Sequence, residues 1–104
     1  MQIFNSLSGN KETLKKPAKR PLRLFVCGPT VYDYTHIGHA RSYIFFDFFV
    51  KHLRSRGWKV FYLQNITNVD DKIIKRAAEE REDPLKLAES FTREYLRDMK
   101  TLGV

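Results

Sequence analysis

An α/β fold centred on a parallel strand–helix–strand unit, with further helices after it, follows from three observations. The mostly apolar run Leu22–Cys27 (LRLFVC) is cut off by Gly28-Pro29, as a short buried strand would be. A helical pattern from about Ile37 to Arg56 then stops at Gly57, where a C-terminal cap belongs. Lys59–Gln64 (KVFYLQ) follows at once, rich in β-branched and aromatic residues. Strand, helix and strand at this spacing make a βαβ unit, which is right-handed with parallel strands.

The remaining elements fall on either side of that unit. Gln2–Asn5 reads as a short strand, and Ser8–Pro21 as a polar, basic connector carrying Lys11, Lys15, Lys16, Lys19 and Arg20. In the long helix Ala40, Ile44, Phe48 and Leu53 recur near helical spacing and form the expected inner face. Arg41, Lys51, Arg54 and Arg56 mark the wet side. Asp70–Arg81 reads as a second helix, with Asp70 and Asp71 at the end where carboxylates suit the dipole. A third helix starts with Asp83 as cap and Pro84 in its first turn. Ala88, Phe91, Tyr95, Met99 and Leu102 line one apolar face of it.

Composition narrows the function classes. A chain of 104 residues is at most one domain, and 42% hydrophobic with 13% aromatic residues is enough for a real core. A net charge of +7 favours an anionic partner such as nucleic acid or nucleotide phosphate, unless an acidic region elsewhere balances it. The single cysteine excludes an intrachain disulfide framework and fits a reducing compartment. The longest apolar run, Ile44–Val50, is interrupted by Asp47 and is too short to span a bilayer. No basic segment followed by a long apolar one opens the chain, so a cytoplasmic location is expected.

Chemistry concentrates in Cys27–His39, CGPTVYDYTHIGH. His36 and His39, three apart at a helix start, share a face and sit beside free backbone N–H groups that favour a phosphate. Gly38 lets a flat ring such as adenine approach the backbone. Donors from two imidazoles suit the charge that develops in phosphoryl or nucleotidyl transfer, with proton transfer a lesser possibility. Metal binding and two incidental terminal histidines remain open beside that reading. Cys27 has three: a zinc thiolate, a nucleophile, or a buried small apolar residue.

Ligands of open parallel sheets bind beyond the carboxyl ends of the strands, so Cys27-Gly28 and Asn65-Ile66-Thr67 are expected on one edge. Asn65 and Thr67 suit a small polar substrate. Asp70 and Asp71 are better read as helix caps than as metal ligands or a catalytic pair. Tyr32, Asp33 and Tyr34 fit loop packing as well as function.

Taken together, VCGPTVYDYTHIGHARS, FDFFVKHLRSRGWKVFYLQNITNVDDKIIKRA and IFNSL near the start resemble the N-terminal part of the cysteinyl-tRNA synthetases, a class I aminoacyl-tRNA synthetase family. HIGH alone marks the class; CGPTVYD before it and NIT-x-VDDKII after it point to the cysteine enzymes. The resemblance covers nearly the whole chain. It implies the N-terminal part of a Rossmann-like nucleotide-binding fold, with residues 1–104 a partial catalytic domain lacking the second half and the anticodon-binding domain.

The resemblance also implies roles. Cys27 would be the first of the family's zinc ligands, the zinc binding the thiol of substrate cysteine in preference to a serine hydroxyl. Gly28, Thr30 and Thr67 would surround the amino acid, His36 and His39 would contact ATP phosphates, and Gly38 would lie near adenine. The implied partners are ATP with Mg2+, L-cysteine and tRNA(Cys), with no membrane and a usually monomeric enzyme. Asn68 stands where the family often has aspartate. The other zinc ligands and the KMSKS-like loop lie beyond residue 104, so an N-terminal piece, inactive alone, is expected. Two alternatives stand beside it: the related ligase joining cysteine to an amino sugar in mycothiol synthesis, and a non-catalytic nucleotide- or RNA-binding remnant.

Overall fold

The computed structural model describes Met1–Val104. Its elements, in chain order, are β1 (Gln2–Asn5), β2 (Asn10–Thr13), β3 (Leu22–Val26), α1 (Ile37–Ser55), β4 (Val60–Gln64), α2 (Asp71–Glu80) and α3 (Pro84–Thr101). β3 and β4 pair in parallel, from Leu22 opposite Val60 to Val26 opposite Gln64, and α1 is the crossover between them. The expected βαβ unit is therefore the centre of the molecule.

The connector expectation fails in its first part. Ser8–Pro21 is not wholly irregular, because Asn10–Thr13 pairs antiparallel with β1, Gln2 facing Thr13 and Asn5 facing Asn10. The turn between them uses Gly9 at φ 69 and local polar bonds, Leu7 N–H to Asn5 Oδ1 and Asn10 Nδ2 to the Ser8 carbonyl. NKET lacks both apolar alternation and β-branched density, so the strand is dictated by its partner and its turn.

Helix ends follow local chemistry closely. Asp70 Oδ1 accepts from Lys72 N, and Asp83 Oδ1 accepts from Leu85 N and Lys86 N, so both aspartates cap the helices they precede. Each helix closes with the same pair of reverse bonds. In α1, Trp58 N donates to Leu53 O and Gly57 N to Arg54 O; in α2, Glu82 N donates to Ala77 O and Arg81 N to Ala78 O; in α3, Val104 N donates to Met99 O and Gly103 N to Lys100 O. Gly57 and Gly103 supply the left-handed residue in α1 and α3, while α2 places Arg81 there at φ 55.

Packing divides into two clusters. Val31, Ile73, Ala77, Leu87 and Ala88 form one, between α2, α3 and the loop after β3; Tyr43, Tyr95 and Met99 form the other. Ile66 packs against both and joins them. The expected inner face of α3 holds at Ala88, Tyr95 and Met99, whereas Leu102 is exposed.

The expected inner face of α1 needs correction: its buried residues are Tyr43, Val50 and Leu53, while Ile44 and Phe48 are 42% and 67% exposed. A sheet of two strands is too narrow to cover more of the helix. The opposite sheet face is also open, with Phe25, Phe61 and Leu63 each more than half exposed. Parallel sheets are ordinarily covered on both faces. The radius of gyration, 16.9 Å, exceeds the roughly 13 Å of a compact chain this long.

At residue 28 the two strands cross too closely for a side chain. A Cβ built on Gly28 would lie 1.7 Å from the Asn65 carbonyl oxygen and 2.8 Å from its carbon. Both obstacles are backbone, so no rotamer relieves them. Gly28→Ala should lower stability by more than the roughly 1–3 kcal/mol of ordinary overpacking. A thermal melt followed by circular dichroism checks this, and an unchanged midpoint would refute the close approach.

Candidate active site

Two short segments meet at the carboxyl end of the parallel sheet. Beyond β3 the chain continues through Gly28, Pro29 and Thr30, and beyond β4 through Asn65, Ile66 and Thr67. The two stay in register: Thr30 and Thr67 form a parallel bridge, Thr67 N donates to Pro29 O at 2.9 Å, and Val31 N donates to Thr67 O at 3.1 Å. The expected placement of Cys27-Gly28 and Asn65-Ile66-Thr67 on one edge is present, and Thr30 joins them through its bridge to Thr67.

Asn65 is the organiser of this edge. Its Oδ1 accepts from Gly28 N at 2.9 Å and its Nδ2 donates to Thr67 Oγ1 at 3.2 Å. The amide is thus engaged with the protein and not held free for a substrate, which revises its expected role. Its use as a side-chain bridge from one strand end to the other has no local signature. The nearest signal is an asparagine at a strand terminus two residues before a threonine. Because Thr67 Oγ1 accepts from Asn65, its own hydroxyl hydrogen is left for another acceptor.

The histidine pair is built by the start of α1. His36 has extended backbone, φ −110 and ψ 170, and its Nδ1 accepts from Gly38 N at 3.1 Å, so the imidazole itself is the cap. His39 reciprocates with a longer bond, its Nδ1 accepting from His36 N at 3.5 Å. The rings stack with centroids 3.9 Å apart and planes 29° apart. An Nδ1 that accepts a bond carries no proton, so each neutral ring holds its hydrogen on Nε2. Two parallel Nε2–H donors are the result.

Burial, and secondarily the neighbouring His36, hold His39 below the ordinary histidine value of 6.5. Gly38 is exposed between the rings, and a Cβ there would meet only His36 ring atoms, at 2.9 and 3.0 Å.

Behind the histidines lies a tyrosine cluster. His39 stacks on Tyr43 at 6.2 Å, and Tyr43 meets Tyr95 edge-on at 5.8 Å. Burial, together with Tyr43 and Tyr62 nearby, pushes Tyr95 up to about 12, so its hydroxyl stays protonated. Burial raises Tyr43 as well, with the Cys27 thiol the next cause, which puts Cys27 in the same neighbourhood. The loop before His36 is anchored by Tyr34, edge-on to Phe91 of α3 at 5.2 Å, and by Tyr34 N donating to Asp33 Oδ1. Tyr32 lies beneath the Lys72 ammonium, 5.6 Å from its ring centre. These contacts support loop packing for Tyr32, Asp33 and Tyr34.

Cys27 is exposed, and its Sγ has one polar contact, the Gly28 carbonyl at 3.8 Å. No group of three or more histidine, cysteine, aspartate or glutamate side chains is arranged to hold a metal. A closed zinc site needs four ligands, so these residues alone do not fit one. Asp70 and Asp71 are accounted for by the start of α2. No helix is long and apolar enough to cross a membrane.

Comparison with known proteins agrees with this geometry. Residues 13–104 match the family described as tRNA synthetases class I (C) catalytic domain. Over all 104 residues the chain is 52% identical to the cysteine–tRNA ligase of Thermococcus kodakarensis and 53% identical to that of Coxiella burnetii, covering 22% and 23% of those proteins. It is 50% identical, over the same length, to the cysteine–tRNA ligase of Pyrococcus horikoshii. The chain thus spans little more than a fifth of the length of the curated relatives it matches. With its sheet edge, its histidine-capped helix and nearly its whole length matched, the chain belongs to the class I (C) tRNA synthetase catalytic-domain family.

Proposed function

We propose that this chain is the N-terminal part of the catalytic domain of a cysteine–tRNA ligase, contributing to activation of cysteine by ATP and transfer of cysteinyl to tRNA(Cys). The observation that carries the proposal is the stacked His36–His39 pair with both Nδ1 atoms turned inward and both Nε2–H groups available as donors. In activation, a carboxylate oxygen of cysteine attacks the α-phosphorus of ATP, the bond to pyrophosphate breaks, and cysteinyl-adenylate forms. The two Nε2–H groups bind phosphate oxygens as negative charge builds on them, and no net proton moves. His36 and His39 are the catalytic pair of this reading. Gly38 leaves the backbone open to adenine.

Gly28, Thr30 and Thr67 line the amino-acid side of the site, Thr67 offering its free hydroxyl hydrogen. In the second step a hydroxyl at the tRNA 3′ end attacks the adenylate carbonyl and AMP leaves. ATP enters with its own Mg2+. Cys27 is one zinc donor in this reading, and the remaining donors come from outside these residues. The activity is assigned to the cytoplasm, where an exposed free thiol such as Cys27 persists.

Incompleteness is part of the proposal. Support comes from the uncovered sheet face of Phe25, Phe61 and Leu63 and from a single available zinc donor. The 104-residue chain should therefore catalyse no cysteine-dependent exchange of pyrophosphate into ATP. Co-expression with the remaining four-fifths of the Thermococcus kodakarensis relative should yield exchange that His39→Ala lowers by about 10²-fold or more, the range for losing one transition-state donor. Exchange by the chain alone would refute incompleteness; exchange indifferent to His39→Ala would refute the role of the pair.

Elemental analysis of the purified chain should find well under one zinc per molecule. One tightly held zinc each would show that these residues complete a site after all.

The pH behaviour has a defined sign. His39 binds its proton less tightly in the folded chain than in the unfolded one. It therefore costs no stability above about pH 6.5, and subtracts from stability as pH falls from the unfolded value towards the lowered folded one. An NMR titration of the ring protons should give a His39 midpoint below 6.5. ATP should raise it, because phosphate oxygens favour the imidazolium; a midpoint unmoved by saturating ATP would count against phosphate contact.

A further inference from the structure

The positive balance of this chain comes from two segments, and their unpaired cations gather at the end of the sheet opposite the histidines. Residues 13–32 and 48–69 hold nine of the nineteen lysines and arginines and no aspartate or glutamate. The rest of the chain holds ten basic against twelve acidic residues, so it is slightly negative. The positive balance belongs to these two segments alone.

The fold brings them together. Both parallel strands begin here, tied by Leu22 N donating to the Lys59 carbonyl, and α1 ends here at Ser55. Between the end of the connector and the turn after α1 lies a cleft of about 240 Å³ lined by Lys16, Pro17, Ala18, Lys19, Arg20, Gly57 and Lys59. The Lys16 ammonium lies over Gly57, 3.8 Å from where a Cβ would be. None of the four lining cations is in an ion pair, since the salt bridges all lie within the helices, at Lys51–Asp47, Arg76–Glu80, Arg93–Glu89 and Arg97–Glu94. Just outside, Arg54 bonds through Nη2 to the Val60 carbonyl, and Arg56 is exposed.

Four unpaired cations around a concave surface repel one another and are relieved by an anion carrying several charges. From this cleft we infer a second contact surface, which binds the phosphate backbone of RNA through Lys16, Lys19, Arg20 and Lys59. A lipid surface fits it poorly, because the lining is concave and offers no large apolar side chain for insertion. Strands of five residues separate the cleft from the histidine edge by about 15 Å or more. One ATP occupying the histidine site does not reach it; an extended polyanion can. The choice of RNA rests on the proposed function, whereas the binding of a polyphosphate chain to the cleft does not.

Trp58, the only tryptophan, lies in sequence between two residues of the cleft lining, Gly57 and Lys59, without lining the cleft itself. The 104-residue chain is titrated with a fluorescein-labelled tRNA transcript, reading anisotropy and Trp58 emission, without ATP or cysteine. Binding should weaken linearly with the logarithm of salt concentration. The K16E/K19E/R20E variant should bind at least tenfold more weakly and lower the salt slope by about 2–3, at roughly 0.9 per lost phosphate contact. If that variant loses its circular dichroism signal, K59Q serves instead, with a slope lower by about one.

His39→Ala should leave the RNA anisotropy curve in place while lowering pyrophosphate exchange in the co-expressed pair, which separates failure of the cleft from failure of the histidine site. RNA binding unchanged in the charge-reversal variant would overturn the inference. So would displacement of RNA by ATP or inorganic phosphate at matched ionic strength, or binding to phosphatidylserine vesicles in place of RNA.

Discussion

Where β3 and β4 leave the sheet, the backbones of Gly28 and Asn65 approach so closely that a β-carbon at residue 28 would lie within bonding distance of a carbonyl oxygen. The close approach lets the Asn65 side chain accept from Gly28 N and lets Thr67 pair with Pro29 and Val31 beyond the last regular strand residue. The consequence is that two loops, which would otherwise diverge, continue as a parallel pair and carry Thr30 and Thr67 side by side. Thr67 in turn fixes the backbone of Val31, one of the most buried residues, which seats the loop leading to His36 on α2 and α3. Site geometry and core packing thus share one contact.

The remainder of the fold is notable for how much apolar surface it leaves open. Twelve of 104 residues are buried, and Phe25, Phe61 and Leu63 on the outer sheet face and Ile44, Phe45 and Phe48 on α1 are not among them. At roughly 25 cal/mol per Å² of apolar surface removed from water, covering Phe25, Phe61 and Leu63 offers a substantial driving force that this chain leaves unused. The four helix-surface ion pairs add little in compensation, since exposed pairs contribute about 0–1 kcal/mol each. The histidine edge is held by hydrogen bonds and aromatic contacts, on a scaffold whose outer sheet face is open. Domain cores in such sheets are completed by a second layer, which accords with the incompleteness proposed for the site.

Elements with a local physical cause were legible in the sequence. The βαβ unit follows from two apolar runs flanking a helical period, and three helix ends lie where Asp70, Asp83 and Gly57 direct, whereas the His36 cap of α1 and the left-handed Arg81 closing α2 carry no such signal. The convergence of Cys27 and Thr67 follows from parallel topology alone. What escaped was set by distant partners. β2 reads as a polar connector because NKET carries no pattern of its own, and it becomes a strand by pairing with Gln2–Asn5. The inner face of α1 was misjudged because helical spacing identifies an apolar side without saying how wide a surface meets it. Tyr43 displaced Ile44 because its ring reaches both His39 and Tyr95. Asn65 was placed at the right edge with the wrong partner, since a side chain's hydrogen bonds depend on a strand nearly forty residues away in sequence.

In the proposed reading, the two ends of the parallel sheet handle anionic groups by different physics. At the carboxyl end the donors are oriented: two imidazole Nε2–H groups and one threonine hydroxyl. Donors held by their own hydrogen bonds need no reorganisation when charge appears on a bound oxygen, and they discriminate by position. At the amino end the donors are flexible ammonium and guanidinium groups without partners, which attract any extended polyanion and discriminate little. A phosphate that must be positioned to react belongs at the first end, and one that must only be held belongs at the second. The lowered proton affinity of His39 fits this division, because a permanently charged ring there would attract phosphate strongly before reaction and gain less as charge develops.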